Sequence, residues 1–249
     1  MTRVALVTGA ARGIGAATVR ALAAEGWSVL AVDRCADDPA LPYHLGTRAE
    51  LDAVAAAAAG SPGEVHGFVA DTRDRTAMTA AVTEAEQRWG GLDAALAVAG
   101  VIAGGVPLWE MPPDQEEAVV STDLGGVLVL ARAAIPALLR RPEPRHGRFL
   151  AVASAAATRG LPMLAAYCAA KAGVAGLIRG LAAELGGTGV TANAVSPGST
   201  DTPILAESAR LYGLPGAASF AAQQPLDRLL APEEVAAALA WLAGEAAAG

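Results

Sequence analysis

Lysine is almost absent from this 249-residue chain. Of its 18 basic residues 17 are arginines, and Lys171 is the only lysine. A single example of a common residue type invites a functional interpretation, because composition alone would place arginine there. Lys171 is therefore the first candidate for a functional residue.

Other scarcities exclude whole classes of protein. Cys35 and Cys168 are the only cysteines and lie too far apart for a metal pair or a CxxC motif, which fits a reducing compartment. Basic residues form no cluster and the net charge is −7, so neither a nucleic acid nor an anionic membrane is an expected partner. The longest uncharged apolar run, roughly 94–109, is too short and too glycine-rich to span a bilayer. Without an export signal, the expected location is the cytoplasm.

What the sequence has in quantity is apolar residues, which make up 53% of the chain and rule out a disordered one. Short β-branched or apolar runs alternate with longer helical patterns along the whole length. The predicted strands are Val4–Thr8, Ser28–Val32, Val65–Ala70, Ala94–Val98, Arg148–Ala153 and Val190–Val195. The predicted helices lie near 13–25, 48–58, 74–89, 114–139, 162–186 and 232–243.

This alternation predicts one α/β domain over residues 1–249, with a doubly wound parallel sheet of Rossmann type between two helical layers. No stretch of sequence resembles a linker. The longest connections are Arg34–Thr47, Val101–Pro113 and Gly198–Gln224. Ligands bind at the carboxyl ends of parallel strands, where such loops gather.

A glycine-rich turn follows the first strand and precedes a helix, reading Thr8-Gly9-Ala10-Ala11-Arg12-Gly13-Ile14-Gly15. In that context the glycines and the helix N-terminus suit a pyrophosphate. Asp33 ends the second strand, where a carboxylate accepts hydrogen bonds from the ribose hydroxyls of NAD and repels the extra phosphate of NADP. Arg12 and Arg34 favour the opposite, since either could pair with that phosphate. The balance favours NAD over NADP.

Lys171 follows Tyr167 by four residues, so the two share a helical face. A nearby ammonium favours the phenolate, and the tyrosine can then exchange a proton with a substrate oxygen. Ser154 ends the fifth strand, where its hydroxyl can hydrogen-bond a carbonyl that becomes an alkoxide. The three histidines have no nucleophile elbow to serve, and no metal site is expected.

Together these residues resemble the short-chain dehydrogenase/reductase family, classical type, over nearly the whole chain. The resemblance implies hydride transfer between nicotinamide and a carbinol carbon, with Tyr167 handling the hydroxyl proton. It implies that Lys171 also holds the nicotinamide ribose and that Asp71 contacts adenine. It further implies a cofactor-binding wall formed by Thr72, Ala99, Gly100 and the segment Pro197, Gly198 and Thr202.

The sequence departs from the family pattern at three places. Ala97-Val98-Ala99-Gly100 stands where Asn-Asn-Ala-Gly is frequent, which removes polar bracing of the sheet. Asp123 aligns with the family's catalytic asparagine, and we expect it to accept a hydrogen bond in a proton relay and to shift the pH optimum. The chain stops at Gly249, short of the family's TG…DGG tail; an absent last strand and a truncated sequence both remain open.

The connection after Asp33 is longer than usual and resembles the insertion of actinobacterial family members associated with the redox cofactor mycofactocin. There it is thought to cover NAD, so that electrons leave through an external carrier. The expected substrate is a small apolar secondary alcohol or ketone, with Trp109, Met111, Leu205 and Leu211 as candidate pocket residues. An NADPH-dependent oxoacyl reductase and a non-catalytic NAD-binding sensor are the alternatives. The resemblance also implies a homodimer or homotetramer packed through the helices near 114–139 and 162–186.

Overall fold

The computed structural model describes residues 2–247. Six parallel strands form one sheet in the order β3-β2-β1-β4-β5-β6. They are Val4–Thr8 (β1), Ser28–Asp33 (β2), Val65–Val69 (β3), Ala94–Ala97 (β4), Gly147–Val152 (β5) and Val190–Val195 (β6). The order reverses between β1 and β4, which is where a doubly wound sheet opens a crevice for a ligand.

Over the described residues, eight α-helices surround the sheet. They are Gly13–Ala24 (α1), Arg48–Ala57 (α2), Arg75–Trp89 (α3), Pro113–Val120 (α4), Gly126–Leu139 (α5), Ala165–Glu184 (α6), Pro203–Leu211 (α7) and Pro232–Ala243 (α8). Asp74 caps the N-terminus of α3 by accepting from two backbone N–H groups, which confirms the helix start predicted there. Short 3-10 turns occupy Leu108–Glu110, Ala155–Ala157, Ala217–Gln223 and Glu245–Ala247.

Two apolar layers cover the two faces of the sheet. One cluster joins the sheet to α3, α5 and α6, and includes the fully buried Met78, Leu130 and Phe149. The other joins it to α1 and α8 through Val19, Leu22 and Leu239. This three-layer, single-domain arrangement is the predicted Rossmann-type fold.

The helix predicted as continuous over 114–139 is interrupted by a π-helical segment, Ser121–Gly125, between α4 and α5. An inserted residue of this kind widens the turn and often marks a functional site. The whole stretch Pro113–Leu139 is long and apolar enough to cross a membrane, yet half of its most apolar window is buried in the fold. That burial is typical of a core helix, because α5 packs against the sheet and α3.

Candidate active site

A cleft of about 860 Å³ lies at the carboxyl ends of the strands. Every residue that the sequence singled out for catalysis or cofactor binding lines it, from the glycine-rich turn to the segment after β6. The lining includes Gly9, Arg12, Gly13, Ile14, Gly15, Asp33, Asp71, Thr72, Ala99, Gly100, Asp123, Ser154, Tyr167, Lys171, Pro197, Gly198 and Thr202. The fold therefore brings together residues separated by almost 200 positions.

The glycine-rich turn has the backbone that a dinucleotide needs. Gly9 has φ of +68°, and a Cβ on Gly15 would lie 2.0 Å from the carbonyl oxygen of Gly9. No side chain caps the N-terminus of α1 at Arg12, so the first N–H groups of the helix are left for a ligand. A pyrophosphate, with its negative charge and acceptor oxygens, fits this cradle.

Asp33 lies at the end of β2 beside that turn. One carboxylate oxygen accepts a hydrogen bond from the backbone N–H of Ala11 at 3.0 Å, and the other accepts from Cys35 at 3.1 Å. These bonds fix the carboxylate in the cleft, and each oxygen keeps a free lone pair for a ribose hydroxyl. The two hydroxyls of the adenosine ribose of NAD can donate hydrogen bonds to these two oxygens.

Asp71 stands in a four-membered ion network that the sequence did not predict. Its carboxylate is held by Arg73 at 2.7 Å and lies 3.4 Å from Arg34. Both guanidiniums also reach Asp38, at 2.7 Å from Arg34 and 2.9 Å from Arg73. Asp38 is 6% exposed, and although burial opposes ionisation, these partners hold the pKa of its carboxyl below the ordinary value. Arg34 is thus occupied by carboxylates, which argues against its expected alternative role on a 2′-phosphate.

Thr8 supplies hydrogen bonds between the ends of β1 and β4, where the sequence predicted a loss of polar bracing. Its hydroxyl oxygen accepts from the backbone N–H groups of Val98 at 3.1 Å and Ala99 at 3.2 Å. The two strand ends are therefore joined without the family's asparagines. Gly100 follows, and a Cβ there would lie 3.3 Å from the Lys171 ammonium.

The far wall is built by the segment after β6. Thr202 caps α7 by accepting from the N–H of Leu205, and its methyl group faces Gly13 across the cleft. Thr72 is buried behind the cofactor wall, where its hydroxyl lies against Gly126 of α5. These contacts position both sides of the cleft around one elongated ligand.

Ser154, Tyr167 and Lys171 converge at the centre of the cleft. Ser154 lies two residues beyond the end of β5 in an extended conformation and caps the following turn by accepting from the N–H of Ala156. Lys171 is buried; its ammonium donates to the carbonyl oxygen of Val152 at 3.1 Å and lies 5.7 Å from the centre of the Tyr167 ring. The predicted phenol–ammonium pair on one face of α6 is therefore present.

Asp123 is fully buried in the π-helical segment, beside this group. One carboxylate oxygen accepts from the N–H of Val101 at 2.7 Å, and the other lies 3.2 Å from the Lys171 ammonium. The lysine thus carries a carboxylate partner where the family provides a neutral amide. The widened turn thus places the Asp123 carboxylate between the N–H of Val101 and the ammonium of Lys171.

The electrostatic outcome differs from the expectation for Tyr167 alone. Burial raises the pKa of Tyr167 and the charge of Asp123 raises it further, while Lys171 and a hydrogen bond to Ser154 lower it; the net direction is upward. For Lys171, burial lowers the pKa, but the charges of Asp123 and Tyr167 and the hydrogen bond to Asp123 together outweigh burial, and the net direction is upward. The ammonium does favour the phenolate as predicted, but the buried carboxylate offsets part of its effect.

The sequence did not predict Tyr43 as a residue of the cleft, and three of the four predicted apolar pocket residues do not line it. The Tyr43 hydroxyl accepts from the N–H of Ile102 at 2.8 Å and lines the cleft from the long connection after β2. Leu205 lines the cleft as proposed, whereas Trp109 is 85% exposed and does not. Met111 is buried in a separate apolar cluster with Leu41, and Leu211 also lies outside the lining.

The fold and this site define a Rossmann-type oxidoreductase. The family model for short chain dehydrogenases matches residues 3–212. The chain belongs to the short-chain dehydrogenase family, and it is an oxidoreductase acting on CH–OH groups.

Two curated relatives and one solved structure are similar to this chain over almost its whole length. A cis-4-hydroxycyclohexanecarboxylate dehydrogenase from Sinomonas cyclohexanicum is 37% identical over 248 residues, covering 98% of this chain and 90% of the relative. A 2-dehydro-3-deoxy-L-rhamnonate dehydrogenase (NAD⁺) from a Sphingomonas species is 34% identical, covering 98% and 88%. The crystal structure of carveol dehydrogenase from Mycobacterium avium in complex with NAD superposes with a TM-score of 0.91 at 29% identity, covering 99% and 92%.

Proposed function

We propose that the protein is an NAD-dependent oxidoreductase that interconverts a small, largely apolar secondary alcohol and its ketone. The observation that carries this proposal is the convergence of Ser154, Tyr167 and Lys171 in the same cleft as the glycine-rich turn. A non-catalytic NAD-binding protein would not need a buried lysine beside a tyrosine at this place.

The chemistry divides between cofactor and chain. Bound NAD supplies the hydride acceptor for the carbinol carbon. Ser154 orients the substrate oxygen by hydrogen bonding, and Tyr167 takes the hydroxyl proton as the ketone forms; in reduction the phenol returns it. Lys171 stabilises the phenolate. Its ammonium is a compact donor that the larger, planar guanidinium of an arginine would not replace.

Three observations support NAD over NADP. Asp33 places a carboxylate where NADP carries its extra phosphate. Repulsion between the two negative charges would weaken the binding of NADP. Arg34, the first candidate for pairing with that phosphate, is held by Asp38 and Asp71. The Sphingomonas relative and the carveol dehydrogenase structure both carry NAD in their names.

We further propose that NAD is held tightly beneath the long connection after β2, residues 34–47, here called the strap. The strap is fastened on both sides of the cleft. On one side the Arg12 guanidinium donates to the carbonyl oxygen of His44 at 2.8 Å. On the other, Tyr43 bonds to Ile102, and Leu41 is buried against Val101.

A covered cofactor would be re-oxidised in place, and the resemblance of the strap to the mycofactocin-associated insertion makes mycofactocin the proposed external carrier. Two electrons and a proton would leave to that carrier after each alcohol is oxidised. We also propose a cytoplasmic enzyme that assembles as a dimer or tetramer through α5 and α6, with no nucleic-acid or membrane partner. Size-exclusion chromatography that gave only monomer would contradict the assembly.

Mass spectrometry under native and denaturing conditions tests the proposal. After extensive dialysis, we expect NAD at close to one equivalent per chain in the native spectrum and released NAD in the denatured one. NADP in place of NAD would favour the oxoacyl reductase alternative. A protein that is isolated without cofactor but turns over with added NAD would support the proposed activity. It would contradict both the tight binding of NAD and the external carrier.

A further inference from the structure

The cleft continues beyond Ser154 and Tyr167 into a mostly apolar chamber between the turn after β5 and α7. The Tyr212 hydroxyl closes one side by donating to the carbonyl oxygen of Pro162 at 2.7 Å. Apolar side chains from both segments dominate the lining, namely Leu161, Leu164, Ile204, Leu205, Leu214 and Phe220. Its uncharged polar members include Ser208, Gln223 and Gln224.

Arg159 is the one charged residue among those that the structure places around this chamber. The other charged residues of the cleft serve elsewhere: Asp33 and Asp71 line its cofactor end, and Asp123 neutralises Lys171. No carboxylate of the described lining lies at the chamber end. Arg159 is exposed, so its side chain lies where the chamber meets solvent.

The backbone fixes Arg159 one turn beyond the catalytic serine. Ser154 caps the 3-10 turn Ala155–Ala157, and the N–H of Arg159 donates to the carbonyl oxygen of Ala155 at 3.1 Å. The carbonyl oxygen of Arg159 accepts from the thiol of Cys168, the neighbour of Tyr167, at 3.8 Å. The position of Arg159 is therefore tied to both catalytic residues.

The guanidinium of Arg159 is free, unlike those of the other arginines in the cleft. Within residues 2–247 it forms no salt bridge and no side-chain hydrogen bond, whereas Arg34 pairs with two carboxylates and Arg12 bonds to a carbonyl oxygen. A planar guanidinium with five unused donors is suited to a carboxylate, which it can bind through two parallel hydrogen bonds.

We propose that Arg159 binds a substrate carboxylate, and that the substrate class is a hydroxy acid, with its keto acid, whose small apolar body separates the carbinol carbon from the carboxylate. The carbinol lies at Ser154 and Tyr167, the apolar body in the chamber and the carboxylate at Arg159. This inference rests on the proposed function, because it takes the reacting carbon to lie at the serine and tyrosine.

Isothermal titration of the NADH-loaded protein tests the site without requiring turnover. The probes are cyclohexanecarboxylate and its neutral analogue cyclohexanecarboxamide. We expect the carboxylate to bind about 10- to 100-fold more tightly, as a charge-assisted bidentate contact would give. In Arg159→Gln this preference should disappear, and Arg159→Lys should keep part of it. Arg75→Gln, an exposed arginine outside the cleft, is the matched control and should keep all of it.

Equal affinity for the two probes, a preference that survives Arg159→Gln, or no binding of either probe at millimolar concentration would each overturn the carboxylate site. Failure of the proposed function has a different signature. In that case the protein would bind neither NAD nor NADH, even when refolded with an excess of cofactor, or alcohol oxidation by the holoenzyme would be insensitive to Tyr167→Phe. A preference for the carboxylate probe without turnover that depends on Tyr167 would support the carboxylate site at Arg159 and contradict the proposed oxidation reaction.

Discussion

Lys171 and Asp123 form a buried ion pair, with 3.2 Å between the ammonium nitrogen and the nearer carboxylate oxygen. Both side chains are almost completely removed from solvent, so their charges interact strongly with each other and with the phenol of Tyr167. A residue that is an amide in the family is an anion here, and it partly cancels the charge that favours the phenolate.

The first prediction concerns pH. The charge of Asp123 raises the pKa of Tyr167, and the other groups facing the phenol are Lys171, Ser154 and Cys168. Alcohol oxidation needs the deprotonated phenol, so its rate rises with pH through this pKa. Asp123→Asn removes the anion and lowers the pKa, and we expect the rising limb of the kcat profile to move to lower pH. Asp114→Asn, on the exposed side of α4, is the control, and an unchanged profile in Asp123→Asn would refute this role.

The second prediction concerns the proton carrier. Tyr167→Phe keeps the ring and its packing but removes the group that exchanges the substrate proton. We expect kcat to fall by about 10²- to 10⁴-fold, while the NAD retained through dialysis, measured by denaturing mass spectrometry, stays at the wild-type level, because the ring is retained. A variant that kept wild-type kcat would exclude Tyr167 as the general base.

The third prediction concerns cofactor choice. Asp33→Ser removes the negative charge at the end of β2 but keeps a hydroxyl for the ribose. We expect the ratio of NAD to NADP that the protein, refolded from the cofactor-free state, takes up from an equimolar mixture to fall by about 10- to 100-fold, since a like-charge contact costs a few kcal/mol. Denaturing mass spectrometry of the loaded protein measures the ratio. A ratio that did not change would place the discriminating contact elsewhere, with Arg12 the next residue to test.

The fourth prediction concerns the glycine-rich turn. An added Cβ at Gly15 would lie 2.0 Å from the Gly9 carbonyl oxygen, and the backbone there has no flexible side chain to yield. We expect Gly15→Ala to lower the free energy of unfolding by more than about 2 kcal/mol, as a severe steric clash does. In Gly160→Ala, where nothing lies within 4 Å of the new methyl group, the change should stay within about 0.5 kcal/mol. Denaturant unfolding of the two variants makes the comparison.

The sequence was sufficient for the parts of the fold that depend on local pattern. All six predicted strands are present to within one residue at either end, because buried parallel strands form short apolar runs between turns. Helix α7 and the turn Ala217–Gln223 were not predicted within the connection Gly198–Gln224. They are short, and the prolines and glycines around them are typical of loops.

The parts that sequence could not supply depend on contacts between distant residues. The sequence of the π-helical segment has the pattern of ordinary helix, and the contacts that Asp123 makes there join it to Val101 and Lys171, 22 and 48 positions away. Similarly, Asp38 and Arg73 are 35 positions apart, and no spacing rule joins them. The catalytic pair Tyr167 and Lys171 was predictable because its geometry is set by one helix.

The last prediction concerns the strap. Asp38 is the centre of its ion network and accepts from Arg34 at 2.7 Å and Arg73 at 2.9 Å. Asp38→Asn leaves two partly buried guanidiniums sharing one remaining carboxylate, Asp71, which loosens the strap over the adenine end of the cleft. We expect NAD to dissociate at least about tenfold faster, a change of roughly 1.4 kcal/mol in the barrier to release.

The measurement is the half-life of bound NAD during dialysis, followed by mass spectrometry. Asp52→Asn is the control, because that exposed carboxylate pairs only with Arg48 on α2 and should leave the half-life unchanged. If Asp38→Asn released NAD no faster than the control, the network would be structural and the strap would not retain the cofactor. If both variants were isolated without NAD, as wild type would then be, tight binding itself would be wrong.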